Sequence, residues 1–197
     1  MAIRCPSCGR AYDVTRFQFG RTIRCACGAR VGLEFRVGPR VTAGQPRFIA
    51  DVMLGRLARW LRALGYDTAC DDAIEDAALV RRAVEEGRTI LTRDRKLPRE
   101  WRVAGVLVLE SERPLDQLRE VVARLGLAPP AELFTRCLVC NGELVRADAE
   151  AVGAQVPSAV RRSRRAFVRC PDCGRVYWEG SHTRRMRAAL DRALGGA

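Results

Sequence analysis

Apolar residues recur along the middle of this chain in two alternating patterns, short unbroken runs and helical stripes. PRFIAD (46–51) is a short apolar run closed by an acid, which predicts a strand. MLGRLARWLRAL (53–64) places Leu54, Leu57, Leu61 and Leu64 on one helical face, with Arg56, Arg59 and Arg62 off that stripe and Gly65 as C-cap. YDTAC (66–70) predicts a second strand. Residues 72–86 predict a second helix, opened by Asp71 or Asp72 and ended by Gly87, with Ile74, Ala77, Ala78 and Val84 among its buried positions. RTILTRD (88–94) predicts a third strand, again ending in an acid, and GVLVLE (105–110) a fourth. PLDQLREVVARLG (114–126) predicts a helix with Pro114 in its first turn and Leu115, Leu118, Val122 and Leu125 facing inward.

Repeated strand–helix units with short connections imply a parallel sheet covered by helices, and strands with little alternation fit burial on both faces. The expected fold is therefore α/β, with a small parallel sheet over residues 48–128. GPR and GQPR within 36–47 mark a linker, and GLAPPAE (126–132) marks a second one. Residues 1–35 form a small cysteine module with Phe17, Phe19, Ile23 and Val31 as its expected core. Residues 133–194 form another, ending in a helix over 183–194.

Charge separates the same segments. The net charge is +12, of which residues 1–47 carry +7, residues 48–130 zero and residues 131–197 +5. Basic ends attract polyanions, nucleic acid above all. The plainer reading is a solvated surface in which arginine has replaced lysine, since Lys96 is the only lysine. VRRSRRAF (160–167) concentrates Arg161, Arg162, Arg164 and Arg165, a phosphate-contacting patch or a solvated face. No apolar run approaches the ~20 residues of a membrane span, and MAIRCPSCG lacks an apolar leader core. A cytoplasmic location with no membrane partner is the expectation.

In a reducing compartment, cysteine sets point to metal rather than disulfides. Eight of the nine cysteines form two quartets. Cys5, Cys8, Cys25 and Cys27 follow C-x2-C-x16-C-x-C, and Cys137, Cys140, Cys170 and Cys173 follow C-x2-C-x29-C-x2-C. Four thiolates complete a closed tetrahedral zinc site, so two structural Zn²⁺ are expected, with an iron–sulfur cluster or a redox role as competitors. Cys70 is left over and reads as a small buried hydrophobe. His182, the only histidine, reads as a packing residue beside the second quartet.

Asp51 and Asp94 close two apolar strand runs and should face one crevice at the strands' carboxyl ends. Asp76 opens the middle helix. Each has an ordinary reading, as helix cap, turn cap or solvated residue. Together they repel one another unless a cation binds, and carboxylates select hard ions such as Mg²⁺ or Mn²⁺. Asp71 or Asp72 could replace Asp76, and Glu110 is a further reserve.

RFIADVMLGRLARWLRALGYDT, ILTRDRKL, FTRCLVCNGEL and FVRCPDCGRVYWEGSH, in that order, resemble the Mut-seven C-terminal RNase domain family, from about Arg47 to Met186. The resemblance implies a PIN-like core with an acidic divalent-metal site that cleaves RNA, followed by a C-terminal zinc ribbon. It implies Asp51 and Asp94 as the family's acids, Thr92 as the hydroxyl supporting Asp94, and Asp76 as the acid opening the middle helix. Arg93 or Arg95 could clamp a flanking phosphate. No fourth acid after the fourth strand stands out. The N-terminal ribbon lies outside the matched motifs and reads as a separate binding or interaction module. A catalytically silent, zinc-ribbon RNA-binding protein and a redox or metal sensor remain the other classes.

Overall fold

The computed structural model describes residues 2–33, 45–128, 132–163 and 166–195. Its contacts divide the chain into two compact units, Met1–Ala58 with Thr68–Glu110, and Arg59–Asp67 with Ser111–Ala197.

The first unit opens with two short hairpins. β1 (Ile3–Arg4) pairs antiparallel with β2 (Ala11–Tyr12), and β3 (Ile23–Arg24) with β4 (Arg30–Val31). A 3-10 segment, Val14–Gly20, joins them, capped by Asp13, whose side chain accepts from the Thr15 N–H. The sheet follows. β5 (Phe48–Ala50), β6 (Thr68–Cys70), β7 (Thr89–Thr92) and β8 (Val106–Val108) are all parallel, in the order β6-β5-β7-β8. The chain therefore leaves β5 toward one edge and returns on its other side. That places a topological switch between β5 and β7, where open parallel sheets bind ligands. α1 (Gly55–Ala63), α2 (Asp76–Glu86) and α3 (Leu97–Trp101) punctuate the strands.

Local chemistry explains these boundaries. Gly87 ends α2 at φ 64, a left-handed position that glycine takes without a Cβ clash. The predicted stripe Leu54, Leu57, Leu61 and Leu64 is buried throughout. The α2 cap is Glu75 rather than Asp71 or Asp72, and Asp71 instead accepts from the Ala73 N–H in the preceding turn. The fully buried residues of α2 are Leu79, Val80 and Ala83, with Ile74, Ala77 and Val84 only partly covered. The periodicity was right and its phase was off by part of a turn. α3 has five residues and no sequence period, and it went unpredicted.

One apolar cluster joins Ile3, Val14, Phe17 and Val31 of the hairpin module to Ile49 and Ile90 of the sheet, Leu79 and Val80 of α2, and Leu97 and Trp101 of α3. So small a module buries too little surface to hold itself together, and here α2 and α3 complete its core. Phe19 is not part of that core. It is 65% exposed. Gln18 O accepts from the Arg21 N–H, and both residues between them, Phe19 (φ 56) and Gly20 (φ 69), are left-handed. Positive φ at both central positions is the signature of a type I′ turn. A phenylalanine there costs about 1–2 kcal/mol against the right-handed form.

The second unit contains α4 (Pro114–Leu125), a three-stranded antiparallel sheet of β9 (Val145–Ala147), β10 (Phe167–Arg169) and β11 (Val176–Trp178), and α7 (Ser181–Leu194). α4 buries Leu118 and Val121, while Leu125 is exposed. Gln117 is also buried, and its amide donates to the carbonyls of Ser111 and Glu112. The long spacer between the two cysteine pairs supplies β9, α5 (Ala149–Val152) and α6 (Ser158–Ser163), packed through Val152, Val156 and Phe167. Arg62 lies off the apolar stripe of α1 and is nevertheless not at the surface. It is buried, donating to the carbonyls of Leu138 at 3.1 Å and Val139 at 2.8 Å.

Candidate active site and metal centres

The four cysteine turns share one backbone device. The first cysteine's carbonyl accepts from a left-handed residue: Gly9 at 3.0 Å, Gly28 at 2.9 Å, Asn141 at 3.0 Å and Gly174 at 2.9 Å. Its N–H donates, at 2.8 Å in every case, to Arg10, Ala29, Gly142 or Arg175. The C-x-C pair keeps this device with one residue fewer, the turn closing at Gly28 three residues after Cys25. Within each quartet the sulfurs lie within 4.8 Å of one another. The shortest pairs are Cys8–Cys25 at 3.4 Å, Cys5–Cys27 at 3.7 Å, Cys140–Cys170 at 3.3 Å and Cys137–Cys173 at 3.6 Å. Tetrahedral Zn–S bonds of ~2.3 Å require sulfurs roughly 3.8 Å apart, so both quartets fit a zinc ion.

A tyrosine supports each quartet. The Cys25 thiol is drawn down to about 6, first by the Cys27 backbone N–H and then by the Tyr12 hydroxyl. Tyr177 Oη lies 3.1 Å from Cys137 Sγ. Burial, and then that sulfur, hold its hydroxyl well above the usual tyrosine range. Such partners orient ligands and stabilise the thiolate form. A Cβ on Gly142 would collide with the Asp172 carboxylate and press on Cys170 Sγ, which explains the glycine after the second-quartet knuckle.

The acids lie at the switch point. Asp51 follows β5 and is 8% exposed. It occupies the position before the turn Val52–Leu54, yet its side chain makes no capping bond there. Instead Asp51 Oδ2 accepts from Thr92 Oγ1, at the end of β7, at 2.6 Å. Thr92 is fully buried, and its oxygen also accepts from the Asp94 N–H at 2.9 Å. One hydroxyl thus ties the two strand ends together. Asp94 Oδ1 accepts from the Lys96 N–H at 2.8 Å, which turns the chain toward α3.

Asp76 opens α2 on the exposed side of this group. Its carboxyl is held above the usual value of 3.8, first by partial burial and then by the charges of Asp51, Asp94 and Glu100. Glu100, on α3, is the acid that sequence reasoning missed. Glu110, the reserve candidate, is exposed beyond β8 and is not among the charges acting on Asp76. Gln18 Nε2 of the N-terminal module donates to Glu100 Oε1 at 2.8 Å, across 82 residues of sequence. Only the spacing Asp94…Glu100 around a short turn could have flagged it.

Arg93 and Arg95 are exposed on the turn holding Asp94. On α6, Arg162 is exposed and Arg161 half-buried, and Arg161 Nε has no hydrogen-bond partner among the described residues. Arg164 and Arg165 lie outside the described residues. No helix among the described residues is long and apolar enough to cross a membrane.

A parallel α/β sheet with acids at the ends of adjacent strands, flanked in sequence by two cysteine quartets that fit zinc, defines the class as an α/β domain carrying two zinc ribbons. A family model, the Mut7-C RNAse domain, matches residues 46–190, and the chain belongs to that family. The match begins after the N-terminal ribbon. No curated protein and no solved structure gives a significant match.

Proposed function

We propose that the protein is a metal-dependent ribonuclease that hydrolyses RNA phosphodiester bonds at the switch-point acids. Membership of an RNase family supports this reading, and one observation carries it: Asp51 and Asp94 are tied through Thr92 while their charges act on Asp76. The oxygens of these three carboxylates do not all come within 4.8 Å of one another as the cysteine sulfurs do, so an ion would draw them together. Like charges at neighbouring strand ends, with no basic side chain bonded to Asp51 among the described residues, favour a hard divalent ion.

Asp51, Asp94 and Asp76 would hold Mg²⁺ or Mn²⁺, with Glu100 at the margin. The bound ion would supply Lewis-acid stabilisation of the phosphate and an acidified water. Thr92 fixes the Asp51 carboxylate through its hydroxyl proton and leaves the Oδ1 atom for binding. Asp94, braced by the Lys96 N–H, presents Oδ2. Asp76, whose carboxyl is held above its ordinary value by partial burial and by its acidic neighbours, would gain from a cation that offsets those charges. Arg93 and Arg95 stand where they can meet flanking phosphates. The two zinc ions are structural, and the basic ends draw in the RNA.

The test is RNA cleavage with Mn²⁺ or Mg²⁺ by wild type, Asp51→Asn and Asp94→Asn, alongside binding of the same RNA. The reading requires metal-dependent cleavage that both substitutions abolish while binding persists. Binding without cleavage by wild type would instead make this a nucleic-acid-binding zinc-ribbon protein with a silent core.

A further inference from the structure

The N-terminal ribbon lies outside the family match, yet it reaches the acid cluster through one turn, Gln18–Arg21. Gln18 bonds Glu100, one of the charges acting on Asp76. Gly20 lies against the Arg102 side chain, so closely that a Cβ there would collide with it. Arg102 follows α3 and is itself left-handed, at φ 46. Two of the four non-glycine residues with positive φ among the described residues therefore belong to this junction, Phe19 next to Gly20 in the chain and Arg102 against Gly20. Between the two anchors the turn presents Phe19, whose ring is among the most exposed large apolar groups of the described residues. Arg21, two residues on, and Arg102, against Gly20, are also exposed. A bulky residue in an unfavourable conformation, pinned on both sides and turned to solvent, points to function rather than packing.

We propose that Phe19 is a base-stacking platform, on which an unpaired nucleobase of single-stranded RNA rests while the adjoining backbone runs toward the acids. This rests on the ribonuclease reading of that site. An exposed ring on a turn that also carries an exposed arginine is a combination that single-strand binders use: the ring takes any base face, and cationic side chains of the groove follow the backbone. The residue next to Phe19 in the chain bonds Glu100, so the ring stands at the margin of the acid cluster. The ribbon is thereby a wall of the substrate site.

The experiment is fluorescence anisotropy with a labelled single-stranded oligoribonucleotide and with the same strand in a duplex, in buffer with no magnesium or manganese. Phe19→Ala should weaken single-strand binding about tenfold, the loss of one base stack, and leave duplex binding unchanged. Phe19→Tyr should restore it. The salt slope should not change, because a ring contact releases no counterions. Zinc content and melting temperature should match wild type, since the ring is outside the core. Unchanged single-strand affinity in Phe19→Ala, an equal loss on duplex, or a changed salt slope would overturn the proposal. Because no cleavage is measured, failure here is separate from failure of Asp51→Asn to abolish cleavage, which would overturn only the reading of the acids.

Discussion

A single threonine does much of the positioning at the site. Thr92 Oγ1 donates to Asp51 and accepts from the Asp94 N–H, so Thr92→Val keeps the shape and breaks both bonds. Groups in this supporting position typically change metal affinity or activity by about 10–100-fold. That loss is the expected result, with recovery in Thr92→Ser, measured as Mn²⁺ affinity and cleavage rate. Asp76 contributes one part of the pH response. Its folded value lies above the unfolded one, so its ionisation destabilises the metal-free protein. Stability from this group is present below 3.8 and falls as pH rises through the raised value. Asp13 and Glu86, both held low by hydrogen bonds and arginines, change stability in the opposite sense. The Asp76 share is therefore read as the difference between melts of wild type and Asp76→Asn across acid pH without magnesium or manganese, a difference in favour of Asp76→Asn that should grow as pH rises. Divalent-ion affinity should rise through the same window, since binding displaces the proton. The placement of Asp51 and Asp94 at neighbouring strand ends was legible because each closes an apolar run that reads as a strand. Glu100 was not, because its place depends on a five-residue helix and on a partner 82 residues away. Phe19 was misplaced for a related reason: apolar spacing in so short a module cannot show which ring a left-handed turn expels.

At the scale of elements, each cysteine turn is closed by its own backbone bonds, so the quartets are preshaped for metal. The protein should carry two zinc ions per chain by elemental analysis, and an iron–sulfur absorption spectrum would contradict that. The two ribbons should respond differently to zinc loss. The N-terminal one shares a core with α2 and α3, which carry Asp76 and Glu100. Cys25→Ser should therefore raise hydrogen exchange in α2 and α3, whereas Cys173→Ser should raise it in β9, β10 and β11. Equal exchange in α2 for wild type and Cys25→Ser would show that the shared core does not depend on the metal. The strands, α1, α2 and α4 were readable as elements because apolar runs, helical period and the closing glycines Gly87 and Gly126 marked them, although the N-cap of α2 and its buried face were misassigned. The buried face of α4 was misread because Gln117 takes an inward position by bonding two carbonyls, and pattern reading assigns such positions to apolar residues.

For the whole molecule, basic ends and a neutral middle separate attraction from chemistry. Neutralising Arg161, Arg162, Arg164 and Arg165 together should lower RNA affinity and flatten its salt dependence, by roughly 0.7 in slope per lost phosphate contact on single strands. An unchanged slope would make that run a solvated face. The central claim is that the switch-point carboxylates exist to hold a cation, and one paired measurement tests it most directly: RNA cleavage rate with Mn²⁺ and thermal melting without it, on the same samples of wild type and Asp51→Asn. A neutral amide at Asp51 keeps the shape, loses the charge that binds a hard ion, and relieves repulsion in the empty cluster. The account predicts lost cleavage with an equal or higher melting temperature. Cleavage at the wild-type rate by Asp51→Asn would contradict it.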